Sequence, residues 1–446
     1  MIQIPSSGHL VEKSHDPFRY LPLELAERIL RMLSIYDRLT CISVCKGWKI
    51  MLQSLHSLWK ILDLSYSRQN VPRAGLQAYL ERSNYSLKLA KIKLNRLVDN
   101  GSLEFIIENC KCLNELRVWG FDWRGDDVIF SSLSSAKQIT LLHVCDQISV
   151  SLDVIISILE RCQDTLVDVT FGKVTKSVLC TSSWPKLRNL KSLSLGAFDE
   201  GFITDDNEEN KEVLNDLDDL VQATPNLRIV TLKHLRVKDQ DKVCDFRLWK
   251  HLQVLELVNN KLKRFPKLPP TLRHLSFSGN YSLSIPESEE KEVTQLPLLG
   301  SFSCQTTSIK PRGIFAVIKS CIEANNLKIL HIGNPTYDFG NHILPAFLEY
   351  PPFSSVEELS LSWMDLDDAS ILAILMLYPK LRKVILSGNR ITNITLQTLA
   401  KKESIKSIVI DECYNVDPDE VEDIKVRGIE ISHVFAATTI YLGLSD

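Results

Sequence analysis

The pattern Leu-x-x-Leu-x-Leu recurs along most of this chain, and no other feature constrains the fold as strongly. Two copies are nearly ideal. Leu252, Leu255 and Leu257 are followed by Asn260 and Leu262, and Leu381, Val384 and Leu386 by Asn389 and Ile391. With that frame set, the first positions of successive copies fall at Trp59, Leu89, Leu113, Ala136, Leu166, Leu190 and Leu227. The series continues at Leu252, Leu272, Leu299, Leu327, Val356, Leu381, Ile405 and Val426. Most copies lie about 23–30 residues apart, a spacing that marks stacked supersecondary units rather than separate domains.

The physics of one copy is simple. Leu-x-Leu has the period of a strand, so both leucines face one side and the residue between them faces the other. The first leucine turns the chain in behind the strand. The asparagine that follows can bond to backbone left unpaired between turns. A single copy cannot bury its leucines, whereas stacked copies bury them against each other at about 25 cal/mol per Å² of apolar surface. Between strands the period changes to that of a helix. Leu103, Ile106 and Ile107 within 101–110, and Ile371, Ile374 and Leu375 within 367–378, recur at i, i+3 and i+4. Asp367 or Asp368 is a candidate N-cap, and 417–426 carries Pro418 in its first turn and runs toward Gly428. The copies near 252–283 are short and leave little room for helix. Strand followed by helix, repeated, resembles the leucine-rich-repeat family. The resemblance implies an α/β solenoid over 59–446, a curved parallel sheet with helices outside.

Residues 16–58 do not follow this repeat, and 1–15 form a short polar lead taken as flexible. Leu25, Ile29 and Leu33 recur at i, i+4 and i+8 with Leu30 beside them. Ser34 or Asp37 can cap a second short helix, and a third runs from near Val44 to Leu55 despite Gly47. Three short helices make a small core, and apolar surface left over on such a bundle calls for a partner. Leu21-Pro22-x-Glu24-Leu25, then Ile29, Leu30, Leu33 and Leu39, Val44-Cys45-x-x-Trp48, and Leu58-Trp59-x-x-Leu62-Asp63-Leu64 resemble an F-box. Gly47 departs from the bulkier, often basic residue common there.

An F-box leading into leucine-rich repeats resembles the substrate receptors of SCF (cullin–RING) ubiquitin ligases. The resemblance implies that the F-box binds a Skp-type adaptor, that the adaptor links it to the cullin–RING core, and that the repeats hold a protein substrate. It carries adaptor contacts onto Leu21, Pro22, Leu25, Ile29, Leu33, Val44, Cys45 and Trp48, each of which could instead pack within the bundle. Trp59 and Leu62 are expected to join the F-box to the first repeat. The segments 16–25 and 411–431 are further similar to a fungal, replisome-associated group of such receptors. That group carries tetratricopeptide repeats before its F-box, for which the residues preceding this F-box leave no room.

Composition narrows the alternatives. Lys and Arg total 52 against 55 for Asp and Glu, so the net charge of −3 supplies no overall drive toward nucleic acid or an anionic membrane. Ten of the acids fall within 199–219 beside one lysine, which reads as a solvated acidic insertion and leaves the rest mildly basic. A smaller acidic loop spans 287–292. No apolar stretch approaches the roughly 20 residues of a membrane span, and the amino terminus has no signal-peptide pattern. The eleven cysteines are scattered. They read as reduced, buried, small apolar residues in a nuclear or cytoplasmic protein, without zinc-ligand spacing. The Asn-x-Ser/Thr matches at Asn84, Asn280 and Asn393 then fall by chance.

No HExxH, Walker, Rossmann or nucleophile-elbow motif is present, so neither an enzyme nor a cofactor is expected. The basic run 261–264 is too short for a nucleic-acid claim. Binding chemistry is expected instead at positions alternating with the leucines. The substrate candidates are Arg117, Trp119, Lys233, Glu256 and Lys383, with Trp119 as an aromatic anchor. His274 and His331 fall on the same face. A ligase-independent repeat scaffold is the alternative reading.

Overall fold

The computed structural model describes residues 18, 20–65, 70–94, 101–120, 138–175, 184–196, 217–235, 243–333, 345 and 353–434. The chain divides into two compact units, Met1–Arg117 and Val118–Asp446. Fifteen strands are described, one for each repeat read in the sequence.

The first unit opens with three helices: α1 (Leu23–Met32), α2 (Ile35–Val44) and α3 (Lys46–Ser54). Ser34 caps α2, its Oγ accepting the Asp37 amide at 3.2 Å. Cys45 caps α3, its Sγ accepting the Trp48 amide at 3.4 Å. Gly47 is tolerated because it lies in the first turn of α3, where little intrahelical bonding is at stake. Strand β1 (Ile61–Asp63) pairs in parallel with β2 (Leu89–Lys93), and Glu115 at the start of β3 (Glu115–Trp119) donates its amide to Lys88 O at 3.0 Å. Helices α4 (Arg73–Arg82) and α5 (Gly101–Asn109) connect them. Trp59 and Leu62 are buried as expected. The indole of Trp59 donates to Leu52 O of α3 at 2.8 Å and meets Tyr79 of α4 edge-on, so this ring joins the helical bundle to the first repeat.

In the second unit the strands lie side by side in chain order, each parallel to the next. They are β4 (Leu141–Ser151), β5 (Asp168–Thr175), β6 (Ser192–Gly196), β7 (Ile229–Lys233), β8 (Val254–Val258) and β9 (His274–Ser276). There follow β10 (Ser301–Ser303), β11 (Ile329–Gly333), β12 (Glu358–Ser362), β13 (Lys383–Ile385), β14 (Ser407–Val409) and β15 (Glu430–Ser432). Helices α6 (Leu152–Arg161), α7 (Leu217–Ala223), α8 (Pro311–Glu323), α9 (Asp368–Leu375), α10 (Asn393–Ala400) and α11 (Pro418–Lys425) fill the returns. Asp367 is the N-cap of α9 and Asp417 that of α11. Among the described residues between β7 and β8 only a 3₁₀ turn, Phe246–Leu248, is found, in keeping with the short copies there.

The core is the stack of first, fourth and sixth repeat positions. Leu252, Leu255 and Leu257 are buried, as are Leu381, Val384 and Leu386. Three frames require correction. In the second repeat the first position is Leu87, with Ala90 and Ile92 buried behind it, so Leu89 instead starts the strand. A small alanine at the fourth position hid that frame in the sequence. In the last repeat Val426 is 88% exposed at the end of α11, and the pairing of Ser407 with Glu430 puts Gly428 in first place. In the fourth repeat the first position is Ile139, with Leu142 and Val144 buried behind it, three residues after Ala136, which lies outside the described residues. Of the acidic insertion only 217–219 is described, as the start of α7.

The asparagine ladder forms as anticipated. Asn389 Oδ1 accepts the amides of Met364 and Leu366, while its Nδ2 donates to Leu361 O and Leu386 O. Asn260 bridges Leu235 N and Leu232 O. Asn280 does the same work one turn further on and is fully buried. Seven described turns of the later repeats leave their strands through a left-handed residue at the eighth repeat position: His234, Asn259, Gly279, Thr306, Trp363, Gly388 and Glu412 all have positive φ. Six of the described cysteines are buried and free, Cys110 being pushed up to about 11 by burial. Cys45 and Cys112 are exposed, against expectation, because one caps a surface helix and the other lies in the turn before β3.

Candidate functional site

Helix α1 turns Ala26 and Leu30 inward. That phase leaves Leu25, Ile29 and Met32 on the opposite side at i, i+4 and i+7, all exposed. The apolar stripe read in the sequence is therefore an outer face, not the core contact. Helix α2 buries Ile35 and Arg38 and presents Tyr36, Leu39 and Val44; α3 buries Leu52 and presents Ile50. Of the twenty large apolar side chains exposed among the described residues, nine fall within residues 20–50. Concentrated apolar exposure of this kind marks a docking surface.

The predicted adaptor residues sort as follows. Leu25, Ile29 and Val44 are exposed apolar groups, Val44 at 59%. Pro22 and Cys45 are exposed as well, while Leu21, Leu33 and Trp48 are half-buried. Trp48 meets Phe18 edge-on at 4.6 Å. Sequence reasoning missed Leu23, Met32 at 84% exposure and Ile50 at 69%. The helical phase of Leu25 and Ile29 contains Met32, so that one was legible; Ile50 carried no such signal.

Arg38 anchors the bundle beneath this face. It donates to Leu58 O and lies 5.6 Å over the Trp59 ring. A cleft of about 740 Å³ opens beside it in the same unit, lined by Arg31, Arg38, Lys60 and Lys88 with Asp63 and Glu115. Burial would raise the Asp63 pKa, but hydrogen bonds from Lys91 and Ser65 outweigh it and hold the carboxyl below its usual range.

The strand face opposite the helices carries the second candidate surface. In β3, Arg117 and Trp119 occupy alternating half-buried positions, and Arg117 lies 3.8 Å from Glu115. Phe121 and Trp123, the rings nearest to Trp119 in sequence, lie outside the described residues. In the second unit Lys233 and Glu256 come together at 3.6 Å, with His274 3.4 Å from the same carboxylate. The His274 hydrogen bond is the chief reason the Glu256 pKa is lowered, Lys233 adding to it against burial. Lys383 joins a second group, its Nζ and His331 Nε2 each 3.0 Å from Glu358 Oε1. Burial dominates at His331 and lowers its pKa despite Glu358. Gln305 crosses β11 at Gly333 to donate to Ser360 at 3.1 Å. A β-carbon on Gly333 would sit 2.7 Å from Ser362 O, so only glycine fits that close strand approach.

Trp363 is the exposed aromatic that sequence reasoning missed. It is 51% exposed with φ of +59°, and it stands at the rim where β12 ends. It lies outside the Leu-x-Leu alternation, so the pattern gave it no role. Among the described residues no group of three His, Cys, Asp or Glu side chains could hold a metal, and no helix is long and apolar enough to cross a membrane.

Comparison with known proteins bears on the helical face. No curated protein matches the chain in sequence. Among solved structures the chain is similar to one from the yeast Rad7 and Elc1 complex, at 14% identity and a TM-score of 0.45, covering 92% of this chain and 93% of that one. It is also similar to the internalin InlF of Listeria monocytogenes, at 14% identity and a TM-score of 0.42, covering 82% and 94%. A chain of the TLR13–ssRNA13 complex aligns at 13% identity and a TM-score of 0.35, covering 82% and 62%. The helices that carry the exposed apolar face coincide with a family match, and residues 18–60 are an F-box domain.

Proposed function

We propose that this protein is a non-catalytic substrate receptor of an SCF-type ubiquitin ligase. The F-box binds a Skp-type adaptor, the adaptor recruits the cullin–RING core, and the strand face of the repeats holds the protein to be ubiquitylated. The receptor acts by raising the effective concentration of a substrate lysine near the recruited conjugating enzyme, in the nucleus or cytoplasm. The observation that carries this reading is the apolar face of Leu23, Leu25, Ile29, Met32, Val44 and Ile50 on the F-box segment. A bundle this small has no internal use for so much exposed apolar surface. A replisome or chromatin protein as substrate rests on the likeness of segments 16–25 and 411–431 to the fungal group. Co-expression with a Skp-type adaptor tests the core of the proposal. A stable complex is expected, and its absence from well-folded protein overturns the assignment.

A further inference from the structure

The second position of each repeat builds a continuous backbone ladder along one edge of the strand face. Arg228 N donates to Lys191 O at 2.8 Å and Arg273 N to Gln253 O at 2.7 Å; Lys328 N bonds Gly300 O, Arg382 N bonds Glu357 O, and Lys406 N bonds Arg382 O. Each strand therefore contributes one side chain to a row, at about 4.8 Å per step. From β6 to β14 the row reads Lys191, Arg228, Gln253, Arg273, Gly300, Lys328, Glu357, Arg382, Lys406. Its basic residues are all exposed, and its single acid, Glu357, is shared between Lys328 at 3.3 Å and Arg382 at 3.8 Å. Among the described residues Lys191, Arg228, Arg273 and Lys406 have no ion-pair partner. In a chain whose net charge is −3, six cations against one acid in a row of nine positions is not explained by composition.

We infer that this row docks an extended acidic segment of a partner protein; on the receptor reading above, that segment belongs to the substrate. Through the middle of the row Arg228, Arg273, Lys328 and Arg382 stand on alternate strands, so cations recur about every 10 Å. A chain extended as a polyproline II helix advances about 3.1 Å per residue with three residues per turn, so a carboxylate at every third position lies on one side at about the spacing of the cations. The neighbouring column of the strand face supplies what the intervening residues need. Ile229, Val254 and Ile329 offer apolar contact, and Ser192, Ser301 and Ser407 offer hydroxyls. Nucleic acid fits less well. A duplex carries about one charge per 1.7 Å, far denser than this row, and the ring in the described part of the neighbouring column is the imidazole of His274, which is engaged by Glu256 at 3.4 Å.

The test uses the full chain and fluorescence anisotropy. The probes are a labelled 20-residue peptide with Glu at every third position between Ser and Val, its Gln counterpart, and a 20-nucleotide single strand. The Glu peptide is expected to bind, the Gln peptide not, with affinity falling as salt rises from 50 to 300 mM. Charge reversal in R228E/R273E is expected to weaken Glu-peptide binding at least about tenfold, mainly through slower association. Circular dichroism and adaptor binding should be unchanged in that variant. Failure of the Glu peptide to bind at low salt, insensitivity to the reversal, or tighter binding of the oligonucleotide through the same arginines each overturns the inference. Loss of the adaptor complex with peptide binding intact would instead remove the receptor reading and leave the row standing.

Discussion

The indole ring of Trp363 occupies the space that a β-carbon on Gly388 would fill, the nearest ring atoms lying 2.4 Å from that position. Both residues are left-handed, at φ of +59° and +69°, and they hold the same repeat position in successive turns. An exposed tryptophan in this conformation is strained, and it is seated by a glycine one turn on.

Replacing Gly388 therefore carries two costs. A side chain disfavours positive φ and collides with the Trp363 ring, so Gly388→Ala is expected to lower stability by about 2–4 kcal/mol. Urea unfolding of the purified chain measures this. A loss below about 0.5 kcal/mol, the level of an ordinary surface change, would mean the ring moves aside freely.

Asn280 offers a sharper test of the ladder. Its side chain accepts the amides of Asn260 and Leu262 at 3.0 and 3.2 Å and donates to Leu257 O and Phe277 O. Asn280→Ala leaves several buried backbone groups unpaired, for an expected loss of about 3 kcal/mol. Asn280→Asp preserves shape but cannot donate, and it introduces a buried charge. It should be at least as damaging, and thermal melts of the two variants side by side decide it.

The adaptor face separates binding from folding. Leu21→Ala with Pro22→Ala, or Ile29→Asp alone, should cost roughly 2–4 kcal/mol of adaptor affinity while the melting curve stays close to wild type. Leu30→Ala, buried beneath the same helix, should do the reverse and destabilise the bundle by about 2–4 kcal/mol. Pull-down with the adaptor and calorimetry of the free protein distinguish the two classes. Equal loss of both properties in Ile29→Asp would mean that this face is core after all.

His331 gives a pH dependence with a definite sign. Burial lowers its pKa below the ordinary 6.5, with Lys383 and His274 adding to the effect and Glu358 opposing it. In the window just below 6.5 the unfolded chain binds more protons, so stability falls as pH falls toward the lowered folded value. His331→Gln should flatten that part of the profile. Glu256 acts in a lower window: its stabilising contribution is present above the ordinary 4.5 and is lost as pH falls through its lowered folded value. Denaturation midpoints measured from pH 7 down to about pH 2 separate the two, and an unchanged slope near pH 6 in His331→Gln would show that the imidazole is not the titrating group.

Much of the architecture was legible because the repeat is a local code written many times. Leu252, Leu255 and Leu257 announce a strand, its buried side and its turn asparagine within nine residues, and stacking follows because one turn cannot bury its leucines alone. The frame slipped where the code thinned. Ala90 is too small to stand out as a core residue, and Gly428 in first place carries no side chain to recognise.

Sequence alone determined the F-box pattern and, within each unit, the succession of parallel strands, since these depend on residue type and spacing along the chain. Tertiary structure decided what those spacings leave open. It set α1 with Ala26 and Leu30 inward, turning Leu25, Ile29 and Met32 outward, because either stripe is apolar enough to be core. It brought His331, Glu358 and Lys383 onto one carboxylate and aligned Arg228, Arg273 and Arg382 along one edge. Residues a whole repeat apart meet only when the turns stack in register, and register is a property of the packed core rather than of any single turn.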